Sequence, residues 1–343
     1  MSSTNSGKRF LLIAGRILLL LIVAMGALQS GPLAGYLDPY GFLFVLVGGI
    51  ALIMISFPGS EIWRALRDTV GTPGKGTDIR SSALFWEGAG RGFWILGGLR
   101  SVLSMIIGFV SMRTVETAGL QSILPMLIRS LLSTFYGSLL AVICFVPCWK
   151  LLGILQSRPS APNPERNEAP IFNRRRGWRF GTVFGYVLFL SVLVSTSRIP
   201  LDLLELWPVY RPPLLVVLGG TLALMLFTGG NNTRLTPSAS FAGMGLIGSL
   251  MGFIQMLHGM TFPSPQGIAQ VAGAVAFVIF SCFTALLGMA LVGAPLEDRA
   301  IRIGRVDAPS AFSRVSWYFF PLLSLIFVIV VFINIILPLP PSR

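Results

Sequence analysis

The sequence predicts an all-α, polytopic helical membrane protein. It should have about nine transmembrane helices, set as two parallel four-helix repeats plus one C-terminal helix. Three observations predict this. Of 343 residues, 54% are hydrophobic and only 11% are charged, with a mean hydropathy of +0.78, more apolar surface than a soluble core absorbs. Apolar runs of roughly 20 residues, the length that crosses a bilayer as a helix, recur along the chain. Basic residues gather in alternate connections, as membrane topology requires.

The runs lie at about 10–29, 40–57, 92–112, 121–152, 179–197, 212–229, 240–260, 266–293 and 315–338. The first follows Lys8 and Arg9, as a signal peptide would. It is long, however, Arg16 interrupts it, and no small-x-small cleavage site follows, so an uncleaved first helix is predicted. The 40–57 and 212–229 runs are short and begin at turns containing Pro and Tyr.

The connection after 57 carries Arg64, Arg67, Lys75, Arg80 and Arg91. The connection between the fourth and fifth runs, with its edges, carries Lys150, Arg158, Arg166, Arg174, Arg175, Arg176 and Arg179, and the one after 293 carries Arg299, Arg302, Arg305 and Arg314. The alternate connections hold few: none in 30–40, Arg113 in 113–120, Arg198 and Arg211 in 198–211, none in 259–265. This predicts a cytoplasmic N-terminus and a periplasmic C-terminus. The net charge of +13 and pI near 10.8 are then a topology signal, and no nucleic-acid partner is expected.

Residues 156–178, QSRPSAPNPERNEAPIFNRRRGW, are rich in Pro, Asn and Arg and read as a cytoplasmic linker. On either side the sequence repeats. VLVGGIALIMISF (45–57) matches VVLGGTLALMLFT (216–228), GFVSM (108–112) matches GFIQM (252–256), and STFYGSLLAVICFVP (133–147) matches SCFTALLGMALVGAP (281–295). The offsets are 171, 144 and 148, in preserved order. The predicted organisation is therefore a first repeat over 1–155, the linker over 156–178, a second repeat over 179–300, and a connection with the ninth helix over 301–343. An even number of spans per repeat makes the halves parallel, unlike inverted-repeat transporters.

Within the 121–152 run, Ser130, Thr134, Gly137, Ala141, Cys144 and Cys148 recur at spacings of three and four and share one helix face. The 240–260 run carries Gly245, Gly248, Ser249 and Gly252, and the Gly248/Gly252 pair has the spacing that lets membrane helices approach closely. All thirteen acidic residues are expected in connections or at helix ends, which leaves no intramembrane carboxylate for a proton path. His258 stands alone near a helix end and reads as an interfacial side chain. Arg16 reads as snorkelling to the headgroups, whereas Arg100 and Arg129 are candidates to line a polar interior. Cys144, Cys148 and Cys282 sit in apolar runs and predict small-residue packing rather than disulfides or a metal site. No nucleophile–His–acid set, metal cluster or phosphate-binding loop is present, so neither an enzyme nor a cofactor is expected.

LDPYGFLFVLVGG (37–49), GLIGSLMGFIQML (245–257) and TFYGSLLAVICFVP (134–147) resemble the MotA/TolQ/ExbB proton-channel family, closest to its MotA branch, over about 37–152 and 200–297. The resemblance implies that two helices of each unit line a pore around a single-span MotB/ExbD/TolR-like partner whose Asp carries a proton or sodium ion. Thr134 and Ser249 would be the ion-path hydroxyls, and Gly137, Ala141, Gly245, Gly248 and Gly252 would pack against the partner helix. The repeat offsets place Met105 where Ser249 falls and Cys282 where Thr134 falls, with Thr284 about 200° round the helix. The cytoplasmic segment after the second run is short, about 58–91 and 230–239, unlike the large domain of a flagellar torque generator.

The sequence thus predicts a channel-type subunit of an ion-driven motor or force-transducing complex in the bacterial inner membrane. It would assemble with that partner and with MotA-like subunits as a homo- or hetero-oligomer. The alternatives are a non-conducting duplicated scaffold of such a complex, or a parallel-repeat carrier.

Overall fold

The computed structural model describes residues 38–70, 79–113, 120–157, 177–197, 207–228, 237–260, 265–302, 319–324, 326 and 330. Chain contacts separate Met1–Pro39 from Tyr40–Arg343 as two compact units, and the helical core belongs to the second. The first predicted run with Arg16, nearly all of the linker and most of the ninth helix lie outside the described residues.

Every described element is helical, as a chain of apolar runs dictates. In order they are α1 (Pro39–Ser56), α2 (Gly59–Val70), α3 (Ile79–Arg113), α4 (Leu120–Ser157), α5 (Gly177–Ser197), α6 (207–228), α7 (Pro237–Met260) and α8 (265–302). A short helical segment follows at 319–324. Three helices start on proline (Pro39, Pro237, Pro265), which fits a first turn whose N–H groups have no helical partner. α6 and α8 each contain one π-helical stretch, Leu215–Gly219 and Met289–Gly293.

Among the described residues, Pro39–Ser56, Leu127–Leu155, Pro237–Met256 and Gly273–Ala300 are long and apolar enough to cross a membrane. Phe180–Ser195 and Tyr210–Met225 are shorter apolar helices. The protein is a helical membrane protein by this measure. On α5, Phe180, Val183, Phe184, Val187, Leu190 and Val194 are all exposed at three- and four-residue spacing, an apolar ridge suited to lipid.

The core is built on two antiparallel hairpins. α3 pairs with α4, and α7 with α8. Antiparallel order follows from the contacts: Gly97 meets Gly137 while Gly90 meets Phe145, and Gly245 meets Ala285 while Gly252 meets Val278. α1 lies on α3 through Gly48 and Gly49, which face Leu96 and Phe93, and α5 lies on α1 where Gly185 faces Ile55. α3 and α8 join the hairpins, with Leu96, Leu99, Leu286 and Met289 in one shared core.

The structure changes two boundaries. α3 begins at Ile79, far ahead of the apolar run at 92, and Gly59–Val70 is a helix where the sequence predicts a connection. Both added stretches are amphipathic rather than apolar, so hydropathy alone passes over them. Consequently Asp68 and Glu87 lie within helices; α8 likewise runs past the apolar run's end at 293 to Arg302, so Glu297 and Asp298 are helical too, and both are buried.

Candidate functional site

The small face of α4 is its buried face. Ser130, Ala141, Cys144 and Cys148 are all nearly inaccessible, and α3 of the same chain covers them. The covering is close because Gly97 and Gly137 have no side chains: a Cβ on Gly137 would lie 2.7 Å from the Gly97 Cα. Within the chain, the neighbour of Gly137 and Ala141 is α3.

One turn along, Ser101 of α3 and Thr134 of α4 join their hydroxyls, Oγ to Oγ1, at 2.6 Å. Ser101 Oγ also lies 2.9 Å from the Gly97 carbonyl oxygen and 2.5 Å from that of Ser130. Each hydroxyl has one proton to give. A consistent chain has Thr134 donate to Ser101, and Ser101 donate across the seam to the Ser130 carbonyl. The Ser130 hydroxyl itself is fully buried and meets no hydrogen-bond partner. Thr134 is only half-buried, so this cluster reaches the outside of the hairpin.

The second hairpin holds a similar contact, with a thiol in place of the threonine hydroxyl. Ser249 Oγ lies 3.1 Å from Cys282 Sγ and donates to the Gly245 carbonyl at 2.8 Å. Gly245 faces Ala285, Gly248 faces Ser281, and Gly252 faces Val278. Within the chain, these three glycines close the seam between α7 and α8. Both Ser249 and Cys282 are completely buried. Phe320 covers Gly245, and the Ser324 hydroxyl lies beside the Cys282 thiol, so the 319–324 segment caps this pair from outside. Thr284 points elsewhere, onto the Tyr210 hydroxyl of α6 at 3.2 Å.

The contacts pair residues differently from the sequence match. Ser101–Thr134 and Ser249–Cys282 are each 33 residues apart, and their members lie 148 positions apart on both helices. Ser101 stands in the first hairpin's contact as Ser249 does in the second's, whereas Met105 is fully buried in the apolar core. The short GFVSM/GFIQM match shifts the register by one helical turn. The signal that finds Ser101 is the four-residue step from glycine to serine, Gly97–Ser101 and Gly245–Ser249.

Arg100 is buried, its guanidinium 5.7 Å from the Phe44 ring centre on α1. Arg129 is exposed on the outer side of α4. Near the far end of the hairpins, Arg91 of α3 pairs with Asp298 of α8 at 2.5 Å, both nearly inaccessible. Beside it Glu297 accepts the Ser238 N–H at the start of α7, at 2.9 Å, where the helix dipole favours an anion. A cleft of about 140 Å³ is lined mostly by apolar side chains such as Ile55, Leu291 and Pro295, together with Thr182, Tyr186 and Arg299, and shares no lining residue with either hydroxyl-bearing pair. Among the described residues, no group of three or more His, Cys, Asp or Glu side chains could hold a metal ion. No protein-family model, curated protein or solved structure matches the chain.

Proposed function

We propose that the chain is a channel-type subunit of an ion-driven complex in the bacterial inner membrane. In this reading it has nine spans, as two parallel MotA-like units and a ninth helix, with the N-terminus cytoplasmic and the C-terminus periplasmic. A single-span partner supplies the intramembrane Asp, because no described carboxylate lies in the middle of a predicted span. The observation that carries the proposal is the Ser101–Thr134 pair: two hydroxyls at 2.6 Å with Thr134 half-exposed and an extra buried hydroxyl, Ser130, one turn away. Such a cluster can replace part of an ion's hydration shell or relay a proton to a carboxylate brought to Thr134 from outside.

The constant 148-residue spacing supports the duplication, and the difference between the copies supports a division of labour. The first unit keeps two hydroxyls and leaves one accessible. The second has a thiol in place of the threonine and is capped by the 319–324 segment. The first unit is the working one, and the second is structural.

A non-conducting scaffold is the second reading, favoured by the closure of both glycine seams within one chain. Ion flux separates the two. In vesicles holding the chain and its co-purified single-span partner, flux should vanish when the partner's Asp is changed to Asn. No flux at all supports the scaffold, and flux indifferent to that change sinks the channel whose acid comes from the partner.

A further inference from the structure

α2 has a face that the fold leaves open. It begins at Gly59, with two residues between it and the end of the apolar, membrane-length helix α1 at Ser56, which puts its start at the membrane surface. Its inner side is fixed to α3 and α4 by polar contacts. Arg64 Nη2 donates to Ser81 Oγ, and Ser82 Oγ donates to Asp68 Oδ2 at 2.7 Å. Trp86 Nε1 donates to Thr69 Oγ1 at 2.7 Å, and Lys150 Nζ donates to the Thr69 carbonyl, also at 2.7 Å.

These contacts fix its direction. Phe57, just before α2, packs edge-on against Phe85, while Thr69, near its end, bonds Trp86. The chain at both ends of a helix about 18 Å long therefore meets α3 within Ser81–Gly88, a stretch of about 10 Å. α2 lies across α3 rather than along it. Because α3 continues into the apolar run at 92, α2 runs near the membrane plane. Its level, residues 85–86, is about 10 Å of helix from that run, at the depth of the headgroup layer.

The open side is apolar. Trp63 is 71% exposed, Leu66 40% and Val70 88%, at three- and four-residue spacing, and exposed Arg67 flanks them. At the same level on α4, Trp149 is 64% exposed next to Lys150. Tryptophan beside basic residues is the side-chain set that settles at a membrane interface. Asp68, the acidic residue of this turn, points inward onto Ser82.

We infer that α2 is an interfacial lipid-binding helix. Trp63, Leu66 and Val70 enter the boundary between headgroups and acyl chains, about 5–10 Å deep for such helices, and Arg67 draws anionic lipid to the site. This inference is independent of ion conduction.

Trp63 reports on it directly. The full chain is reconstituted in phosphatidylcholine vesicles containing phosphatidylglycerol, and the emission lost in Trp63→Phe isolates Trp63 among the seven tryptophans. Bromines placed shallow on the acyl chains should quench that emission more than bromines near the bilayer centre, and aqueous acrylamide should quench it weakly. Headgroup-spin-labelled phosphatidylglycerol should quench it more than equally labelled phosphatidylcholine, by an enrichment of up to about fivefold for one basic residue near an anionic surface. In Arg67→Gln the two lipids should quench alike. Strong acrylamide quenching without bromolipid quenching would overturn the inference, because α2 then faces water. Shielding from both would overturn it too, since a protein surface then covers Trp63. Equal quenching by the two labelled lipids in the unaltered chain would overturn the anionic preference.

Discussion

Gly97 and Gly137 meet backbone to backbone where α3 crosses α4, and their contact sets the distance at which Ser101 reaches Thr134. Any side chain at either position forces the helices apart, because the nearest atoms are main-chain atoms that cannot rotate away. Gly137→Val should therefore lower stability by about 1–3 kcal/mol, the usual cost of overpacking, and should break the 2.6 Å hydroxyl pair. Gly153→Ala is the control. It lies in the same helix with nothing within 4 Å of an added Cβ, and should gain up to about 1 kcal/mol of helix propensity. Unfolding midpoints in detergent check both.

The same seam shows how far the sequence could be read. The periodic stripe Ser130–Cys148 coincides with the buried face of α4, because small side chains at one helical spacing have one common use, close approach. Periodicity does not say which helix approaches, and here it is α3 of the same chain. The predicted runs within the described residues agree with helices because bilayer length and apolarity are local properties. What escaped was non-local or amphipathic. α2 carries alternating charge and apolarity, the Ser101 register depended on a five-residue match, and the Arg91–Asp298 contact joins residues 207 positions apart.

Breaking the Arg91–Asp298 pair should be costly, since either partner alone leaves an uncompensated buried charge. Asp298→Ala should destabilise the chain by about 3–5 kcal/mol. The double replacement Arg91→Met with Asp298→Leu should recover most of that loss, because it removes both desolvated charges together. A double-mutant cycle of unfolding free energies gives the coupling directly.

Accessibility should differ between the two hydroxyl-bearing seams. The native Cys144, Cys148 and Cys282 are buried, so a small membrane-permeant thiol reagent should leave all three unmodified in the folded protein. Thr134→Cys, at a half-buried position, should add one reactive thiol under the same conditions. Labelling stoichiometry by intact mass reads the outcome. Modification of native Cys282 before the thiol introduced by Thr134→Cys would contradict the capping of the second seam by Phe320 and Ser324.

In the proposed channel the first hairpin carries the ion path and the second does not, a difference that ion flux measures. In vesicles holding the chain with its single-span partner, Thr134→Val should remove most of the flux, and Ser101→Ala should reduce it. Cys282→Val, at the corresponding place in the second hairpin, should leave flux near that of the unaltered chain. Flux that survives Thr134→Val, or that falls equally with Cys282→Val, would contradict the claim.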